Sequence, residues 1–286
     1  MTRQIFSIEA LELKANEIRQ DIIKMLELAG SGHPGGSLGQ ADIYTALYFN
    51  LMAHDPSNPD WGQRDILIQS NGHTAPVRYA AMAHAGYFDR KELWTLRQFG
   101  SRLQGHPERI MLPGLENTSG PLGSGLSQAA GMALALRMNK QQHRWVYVTV
   151  GDGELNEGNN WEAIMLISKY KLTNLIAIVD RNNIQIDGPT EVVMPLEDLR
   201  AKWESFGWYV LEIDGNDVEG VIDAVNMAKA IVEKPVVILA HTIPGKGVDF
   251  MEYDFHWHGV APNHEQAKKA LQQIHTLQGK IKSEND

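Results

Sequence analysis

The sequence predicts an α/β fold in which a parallel β-sheet lies between two layers of helices, a three-layer arrangement. Short runs rich in Val and Ile recur at residues 65–70, 145–150, 174–179, 209–213 and 235–242. Each run is almost unbroken in apolar character, which is typical of strands buried on both faces. Segments with helical periodicity separate most of the runs, and this alternation favours parallel strands over hairpins.

The chain begins with a helix. In residues 8–29 apolar side chains recur at helical spacing and form one face, and Gly30 is suited to end this helix in a left-handed conformation. The glycine-rich stretch "GSGHPGGSLG" at residues 30–39 predicts a loop. The next three elements are a helix, a strand and a helix, at residues 40–52, 65–70 and 74–87.

A second glycine-rich stretch, residues 117–124, opens an alanine-rich helix that continues to about residue 139. The later strands alternate with three further helices, at residues 159–170, 196–206 and 217–233. Residues 263–286 predict a helical tail with a solvated, fraying end. Because no low-complexity linker or internal repeat divides the chain, we expect residues 1–286 to form one domain.

The composition narrows the class of protein. The chain has 286 residues, is 43% hydrophobic and carries a formal net charge of −9, so it can bury a large core and is a poor candidate for binding nucleic acid. It has no cysteine, which excludes disulfides and thiolate chemistry. The charged start resembles no signal peptide, and no apolar run approaches the roughly 20 residues that cross a bilayer. We therefore expect a soluble cytoplasmic protein that does not bind membranes.

A carboxylate stands at the end of a predicted strand. The motif "GDGELNEG" (151–158) directly follows the run "WVYVTV", so that Asp152 comes one residue after Gly151; Gly151 and Gly153 permit a tight turn with close approach of a ligand. In parallel sheets ligands bind beyond the carboxyl ends of the strands. A lone Gly-Asp-Gly is most often only a turn.

The neighbouring strand adds an amide. "NLIAIV" runs into "DRNNIQIDG", which puts Asn182 at the carboxyl end of the next strand, with 28 residues between it and Gly153. A carboxylate and an amide oxygen are ligands for a hard cation, and Mg²⁺ shares itself between a few protein oxygens and phosphates. We therefore predict a metal site from Asp152, Asn182 and the backbone carbonyl of Ile184, completed by a diphosphate; Ca²⁺ or Mn²⁺ would suit the same oxygens.

One motif is misleading. Residues 30–35, with Gly30, Gly32 and Gly35, formally fit the dinucleotide fingerprint G-x-G-x-x-G. They follow a helix rather than a strand, and Pro34 interrupts them, so the structural context of that fingerprint is missing. We do not expect nicotinamide binding there.

Taken together, the motifs resemble those of the transketolase family, which uses thiamine diphosphate. The resemblance extends from about residue 14 to 262 and rests on "SGHPGGSLG", "SNGHTAPVRYA", "GHPE", "SGPLGSGLSQAAGMALA", "GDGELNEG", "YKLTNLIAIVDRNNIQIDG" and "HWHG". It implies the diphosphate-binding type of the thiamine-diphosphate-binding fold. It also implies transfer of a two-carbon ketol unit from a ketose phosphate to an aldose phosphate through the cofactor's ylid.

The resemblance implies roles for particular residues. Four histidines in glycine-rich loops would line the substrate channel, bind sugar hydroxyls and move protons, namely His33, His73, His106 and His258. The positions implied to bind the cofactor are His73, Gly120, Pro121, Leu122, Gly151, Asp152, Gly153, Glu157 and Asn182. Glu157 and Glu162 would lie near a subunit interface and link paired cofactors, although either could simply complement a helix dipole.

The resemblance also implies a partner. In transketolases the glutamate that activates the cofactor's pyrimidine belongs to a second domain, and the sequence shows no second alternating strand–helix set after residue 262. We therefore expect one subunit of a split transketolase, which associates with itself through the helices after Gly120 and Gly158 and forms a heterotetramer with a separate pyrimidine-binding subunit. The alternatives are a 1-deoxyxylulose-5-phosphate synthase-like or 2-oxo acid dehydrogenase-like subunit, or a non-catalytic regulatory subunit.

Overall fold

The computed structural model of the chain describes residues 6–276. Its centre is a sheet of five parallel strands in the order β1-β2-β3-β7-β6. A two-stranded antiparallel hairpin, β4–β5, follows β3. The strand bounds are β1 Ile66–Gln69, β2 Val146–Gly151, β3 Leu175–Arg181, β4 Ile184–Gln185, β5 Gly188–Pro189, β6 Tyr209–Asp214 and β7 Val236–His241.

Helices cover the sheet. Their bounds are α1 Ile8–Ala29, α2 Pro34–Gly39, α3 Ala41–Ala46, α4 Ala75–Ala85, α5 Gly125–Met138, α6 Gly158–Tyr170, α7 Thr190–Val193, α8 Leu199–Ser205, α9 Val218–Ala230 and α10 His264–Thr276. The predicted parallel α/β fold is therefore confirmed. Helix α10 covers residues 264–276 of the predicted C-terminal tail, and the fraying end that we predicted lies outside the described residues.

Successive residues of the strands face two separate hydrophobic cores. In β2, Tyr147 packs into the core built with α1, α3, α4, α9 and α10. Its neighbours Val146 and Val148 pack into the core built with α5, α6 and α8. All three side chains are fully buried. A strand with apolar contacts on both faces needs apolar residues at every position, and this explains the unbroken runs in the sequence.

The ends of α1 follow the sequence signals. The Ser7 hydroxyl accepts the N–H of Ala10 at 3.2 Å, an N-cap. Gly30 ends the helix with a φ of 63°, a conformation that suits glycine because it lacks a Cβ. This helix packs against α3, α4 and α10, so it anchors one of the two helical layers.

The structure differs from the sequence prediction mainly in the loops. Residues 34–39 form the short helix α2 instead of a loop; Pro34 starts it, and all six residues are buried. The predicted helix over residues 40–52 is α3 continued by a π-helical segment, Leu47–Leu51. None of the helices within residues 6–276 has the length and apolar character that crossing a bilayer requires.

The register between β2 and β3 determines which residues lie side by side at the carboxyl edge of the sheet. Gly151 at the end of β2 lies beside Asp180 near the end of β3. The N–H of Asp152 donates to the carbonyl of Asp180 at 3.1 Å and continues the ladder by one bond. The segments that leave β2 and β3 therefore start side by side, at the edge where ligands of parallel sheets bind.

Candidate active site

A cavity of about 330 Å³ opens at the carboxyl edge of the sheet. Loops from both halves of the chain contribute to it, including those that follow β2 and β3. The residues that line it are His33, His73, His106, Gly120, Leu122, Gly151, Asp152, Gly153, Glu154, Asp180, Asn182, Ile184, Gln185, Ile186, Asp187 and His258. The cavity thus gathers residues that are far apart in the sequence.

The four histidines singled out in the sequence meet in this cavity. The ring centroids of His33 and His73 lie 5.1 Å apart, those of His73 and His258 5.1 Å, and those of His33 and His258 5.7 Å. His106 approaches from the loop before α5, and its ring lies 3.7 Å from where a Cβ on Gly120 would be. Gly120, at a φ of 143°, therefore leaves room for this imidazole.

Burial lowers the pKa of all four imidazoles and so favours their neutral form. Burial, with the charge of His258 adding to it, lowers the pKa of His33 to about 4. The same two causes put the pKa of His73 well below its ordinary value. Burial also lowers the pKa of His106 and His258. Neutral imidazoles accept one hydrogen bond and donate another, so they can bind hydroxyl groups or take up a proton.

Asp152 is held rigidly at the end of β2. One carboxylate oxygen, Oδ2, accepts the N–H of Asn183 at 2.8 Å and the guanidinium of Arg181 at 3.1 Å. The other, Oδ1, accepts the N–H of Gly153 at 2.7 Å. Burial raises the pKa of Asp152, and Arg181 opposes the rise. Oδ1 accepts fewer hydrogen bonds than Oδ2, so it is the oxygen with more capacity for a further ligand.

Asn182 is fixed by two bonds. Its amide nitrogen donates to Asp180 Oδ2 at 2.9 Å, and its Oδ1 accepts the N–H of Ile184 at 3.1 Å. Asp180 is buried and also accepts from Gln40 at 2.9 Å and from Thr242. Burial raises the pKa of Asp180 to about 7. The bond to Asp180 fixes which end of the Asn182 amide is the oxygen, so that Oδ1 is on the side of Ile184.

The oxygens at this edge suit a shared hard cation. The described residues contain no group of three or more His, Asp or Glu side chains that could hold a metal by themselves. One carboxylate and one amide, with a backbone carbonyl nearby, leave several positions of an octahedral Mg²⁺ for phosphate oxygens and water. The donor set therefore fits a metal that is bound together with a diphosphate.

The histidines also have capacity for a ligand. The Nδ1 atoms of His33 and His258 are buried and have no hydrogen-bond partner among the described residues. Buried polar atoms are normally paired, so two orphaned atoms in one cavity indicate a missing polar ligand. The cavity thus fits a cofactor with a diphosphate at one end and a polar substrate at the histidine end.

Most of the predicted site residues line the cavity, and two do not. Gly120, Leu122, Gly151 and Gly153 do, whereas Pro121 and Glu157 lie outside its lining. Glu157 is exposed at the start of α6. A Cβ on Gly123 would lie 2.7 Å from the Cβ of Glu157, so Glu157 packs closely on the loop before α5. The roles of Pro121 and Glu157, like those of the predicted site residues that do line the cavity, stay predictions.

Sequence reasoning missed two carboxylates of the cavity wall. Glu154 is buried and accepts the N–H of Gly123 at 2.7 Å, the N–H of Gly151 at 3.0 Å and the hydroxyl of Ser70. It therefore ties together the loops after β1 and β2 and the loop before α5. Asp180 is the other. Both stood inside the quoted motifs, but only the tertiary contacts reveal what they hold.

Fold and site together define an α/β protein whose cavity, at the carboxyl ends of parallel strands, fits a diphosphate-bearing cofactor. Residues 11–280 match the family model described as "Transketolase, thiamine diphosphate binding domain". The chain belongs to the transketolase family, and the part of that family it represents is the thiamine-diphosphate-binding domain. The predicted fold type and the predicted cofactor class are confirmed.

Some relatives are separate subunits that the chain matches over nearly their whole length, and others are longer transketolases that it matches over less than half. The chain is 40% identical over 279 residues to one subunit of the apulose-4-phosphate transketolase of Phocaeicola vulgatus, covering 98% of this chain and 99% of that subunit. It is 42% identical over 264 residues to one subunit of the 6-deoxy-6-sulfo-D-fructose transketolase of a Clostridium species, covering 92% and 96%. The transketolase structure of Campylobacter jejuni superposes with a TM-score of 0.88 at 36% identity, covering 95% of this chain but only 43% of that one.

Proposed function

We propose that the chain is the subunit of a two-chain transketolase that holds the diphosphate half of thiamine diphosphate. The observation that carries this proposal is the convergence of Asp152 and Asn182, at neighbouring strand ends, on the cavity that also contains four histidines. It is supported by two relatives named as transketolase subunits that the chain matches over nearly their whole length. A one-chain transketolase is matched over less than half of its length.

We place the metal site beyond the carboxyl ends of β2 and β3. In the proposal, Asp152 Oδ1, Asn182 Oδ1 and the carbonyl of Ile184 hold a divalent cation, with Mg²⁺ first and Ca²⁺ or Mn²⁺ as substitutes. The cation offsets the negative charge of the diphosphate. Gly151 leaves space for the diphosphate to approach, since a Cβ there would have its nearest neighbours only at 3.8 Å, whereas at Gly153 the space is taken by the side chain of Gln185, 2.8 Å from where a Cβ would be. The positive charge of Arg181 favours the ionised form of Asp152, because it opposes the rise in pKa that burial causes.

The histidines serve the substrate. Thiamine diphosphate, when bound, supplies the carbon nucleophile that accepts and releases the two-carbon ketol unit. His33, His73 and His258 are close enough to one another to contact adjacent hydroxyls of one sugar. Their lowered pKa values favour the neutral imidazole. Each can therefore accept a hydroxyl proton and later return it.

We further propose that a separate subunit completes the site. The five-stranded sheet is the only parallel sheet within residues 6–276, and the family requires a second domain to bind the pyrimidine. The relatives' names also point to anionic sugars, a phosphate in one case and a sulfonate in the other. The substrates proposed here are therefore a ketose donor and an aldose acceptor that carry such a group.

Self-association is proposed through α5 and α6. Exposed apolar side chains lie on these two helices, with Met138, Met165 and Leu166 exposed to 76%, 50% and 41%. Exposed apolar groups on neighbouring helices are typical of subunit interfaces. The assembly we propose is a heterotetramer of two such chains and two partner subunits.

Calorimetry of the assembled complex tests the cofactor part of the proposal. Thiamine diphosphate should bind in the presence of Mg²⁺ and lose affinity when EDTA removes the metal. Asp152→Ala should abolish the metal-dependent part of the affinity, whereas Asp223→Ala, an exposed aspartate on α9, should leave it unchanged. Equal affinity of wild type and Asp152→Ala would show that the metal assignment is wrong.

A further inference from the structure

A buried glutamine connects α2 to the strand ends of the cavity. Gln40 lies between α2 and α3, and it is completely buried. Its Nε2 donates to Asp180 Oδ2 at 2.9 Å and to the carbonyl of Gly36 at 3.2 Å. Its Oε1 accepts Asn71 Nδ2 at 3.2 Å. Both ends of this amide are therefore hydrogen-bonded inside the core, as a buried polar group requires.

The partners of Gln40 determine which end of its amide is the donor. A backbone carbonyl can only accept, so the end that faces the carbonyl of Gly36 and also Asp180 is the NH₂ group. Asn71 is oriented in the same way, because its Oδ1 accepts the hydroxyl of Thr149 at 3.1 Å and its NH₂ group faces Gln40. The Gln40 amide thus has one orientation that satisfies all its neighbours.

The glycine-rich sequence of α2 allows these contacts. A Cβ on Gly36 would lie 2.9 Å from Thr74 Cγ2, 3.6 Å from Gln40 Nε2 and 3.7 Å from Asp180 Oδ2. The first of these distances is too short for two carbon atoms, so any larger residue at position 36 would force α2 away from Thr74. Gly36 therefore lets α2 pack closely enough for Gln40 to reach the end of β3.

Asp180 connects Gln40 to the proposed metal ligand. Its Oδ2 accepts Gln40 Nε2 and Asn182 Nδ2, each at 2.9 Å, and its Oδ1 accepts the hydroxyl of Thr242. Among the described residues, removal of the Gln40 amide would leave Asn182 as the only side chain that donates to Oδ2. The carboxylate would then be held less firmly, and the Asn182 amide would lose part of what orients it.

We propose that Gln40 is a positioning residue of the metal site. Acting through Asp180, it holds the Asn182 amide so that Oδ1, and not the NH₂ group, is available as a metal ligand. This inference rests on the proposed binding of thiamine diphosphate with a divalent cation. Gln40 lies behind the wall of the cavity, so its effect on the metal is indirect. Groups that orient metal ligands typically change metal affinity by about 10–100-fold.

Calorimetry of the assembled complex tests the inference. Thiamine diphosphate is titrated at a series of Mg²⁺ concentrations, which gives the concentration needed for half-maximal binding. Gln40→Met keeps the length of the side chain but removes its amide, and it should raise this concentration by about 10–100-fold. Gln40→Asn, whose amide is one methylene shorter and does not reach Asp180, should change it in the same direction. An unchanged Mg²⁺ requirement in both variants overturns the inference.

A matched control separates positioning from a general loss of stability. Asn174 is also buried, at the opposite end of β3, and its amide donates to the carbonyl of Ala133 at 3.3 Å. Urea unfolding should show that Asn174→Leu and Gln40→Met both lower the stability, since each removes a buried hydrogen bond. Only the Gln40 variants should need more Mg²⁺. An equal rise in Asn174→Leu would mean that lost stability alone explains the effect, and it would overturn the inference.

A double-mutant cycle shows whether Gln40 acts through Asp180. Asp180→Asn alone should raise the Mg²⁺ requirement, because it removes the carboxylate that orients Asn182. Adding Gln40→Met to Asp180→Asn should then raise the requirement by less than about twofold more, since residues that act through one contact are not additive. Losses that multiply in the double variant would mean that the two residues act independently, which contradicts the inference.

The behaviour of wild type separates this inference from the proposed function. If wild type binds thiamine diphosphate without any dependence on a divalent metal, the proposed metal site is wrong, and this inference is overturned with it. If wild type requires Mg²⁺ and the Gln40 variants require no more of it, the inference alone is overturned. A Mg²⁺ requirement in wild type that rises in the Gln40 variants supports both.

Discussion

Replacing Glu154 by glutamine tests whether this buried carboxylate holds the cavity wall together. In wild type, Oε1 accepts the Gly123 N–H and the Ser70 hydroxyl, and Oε2 accepts the Gly151 N–H. Glutamine has only one oxygen. If that oxygen keeps Gly123 and Ser70, the new NH₂ group faces the N–H of Gly151, which was 3.0 Å from Oε2. A buried donor then loses its acceptor.

The size of the effect follows from two opposing contributions. Losing a hydrogen bond to a charged group and leaving a buried N–H unpaired each cost about 1–3 kcal/mol. Glutamine removes the desolvation cost of the charge, which is the main cause that raises the pKa of Glu154. We therefore expect Glu154→Gln to lower the free energy of unfolding by about 1–3 kcal/mol, since the relief of desolvation offsets part of the loss.

Urea unfolding of the purified chain at pH 7 measures this difference. Glu233→Gln is the matched control, because Glu233 is exposed just before β7, and it should change the stability by no more than about 0.5 kcal/mol. If Glu154→Gln is as stable as wild type or more stable, the burial of the carboxylate outweighs its three hydrogen bonds. The view that Glu154 organises the three loops would then be refuted.

Three further predictions concern the site. Alanine variants of the four histidines should fold normally, as judged by circular dichroism, and each should lower turnover of the assembled enzyme by about 10²–10⁴-fold if the histidine is an acid–base group. Steady-state kinetics of His33→Ala, His73→Ala, His106→Ala and His258→Ala measure the loss. Wild-type kinetics for all four variants would contradict their role. Asn182→Ala should weaken metal-dependent cofactor binding without abolishing it, measured by calorimetry against wild type, and an unchanged affinity would exclude its amide as a ligand. Because burial lowers the pKa of His33 from 6.5 to about 4, the unfolded chain binds more protons in that range. Wild type should therefore lose stability relative to His33→Gln as the pH falls from about 6.5 to 4, and denaturation curves that stay a constant distance apart would refute this.

The strands and long helices could be predicted because their signals are local. β2 and β3 end within two residues of the predicted ends, since a strand buried on both faces must be apolar throughout. The short helix α2 was missed because its sequence, "PGGSLG", has the composition of a loop. Its six residues are all buried, so tertiary packing outweighs the low helix propensity of glycine.

The candidate site was predicted in outline for a different reason. Asp152 and Asn182 follow strands that proved to be neighbours, and the carboxyl ends of neighbouring parallel strands meet at one edge. The roles of Glu154 and Asp180 could not be predicted, because their partners Ser70, Gly123, Gln40 and Thr242 are distant in sequence.

The most direct test of the whole account is reconstitution of ketol transfer from separately purified chains. This chain is assayed with thiamine diphosphate, Mg²⁺ and two sugar phosphates, first alone and then with increasing amounts of a pyrimidine-binding partner subunit. We predict negligible transfer by the chain alone, and activity that rises with the partner and saturates near equal amounts of the two. Full activity of this chain without any partner would contradict the account.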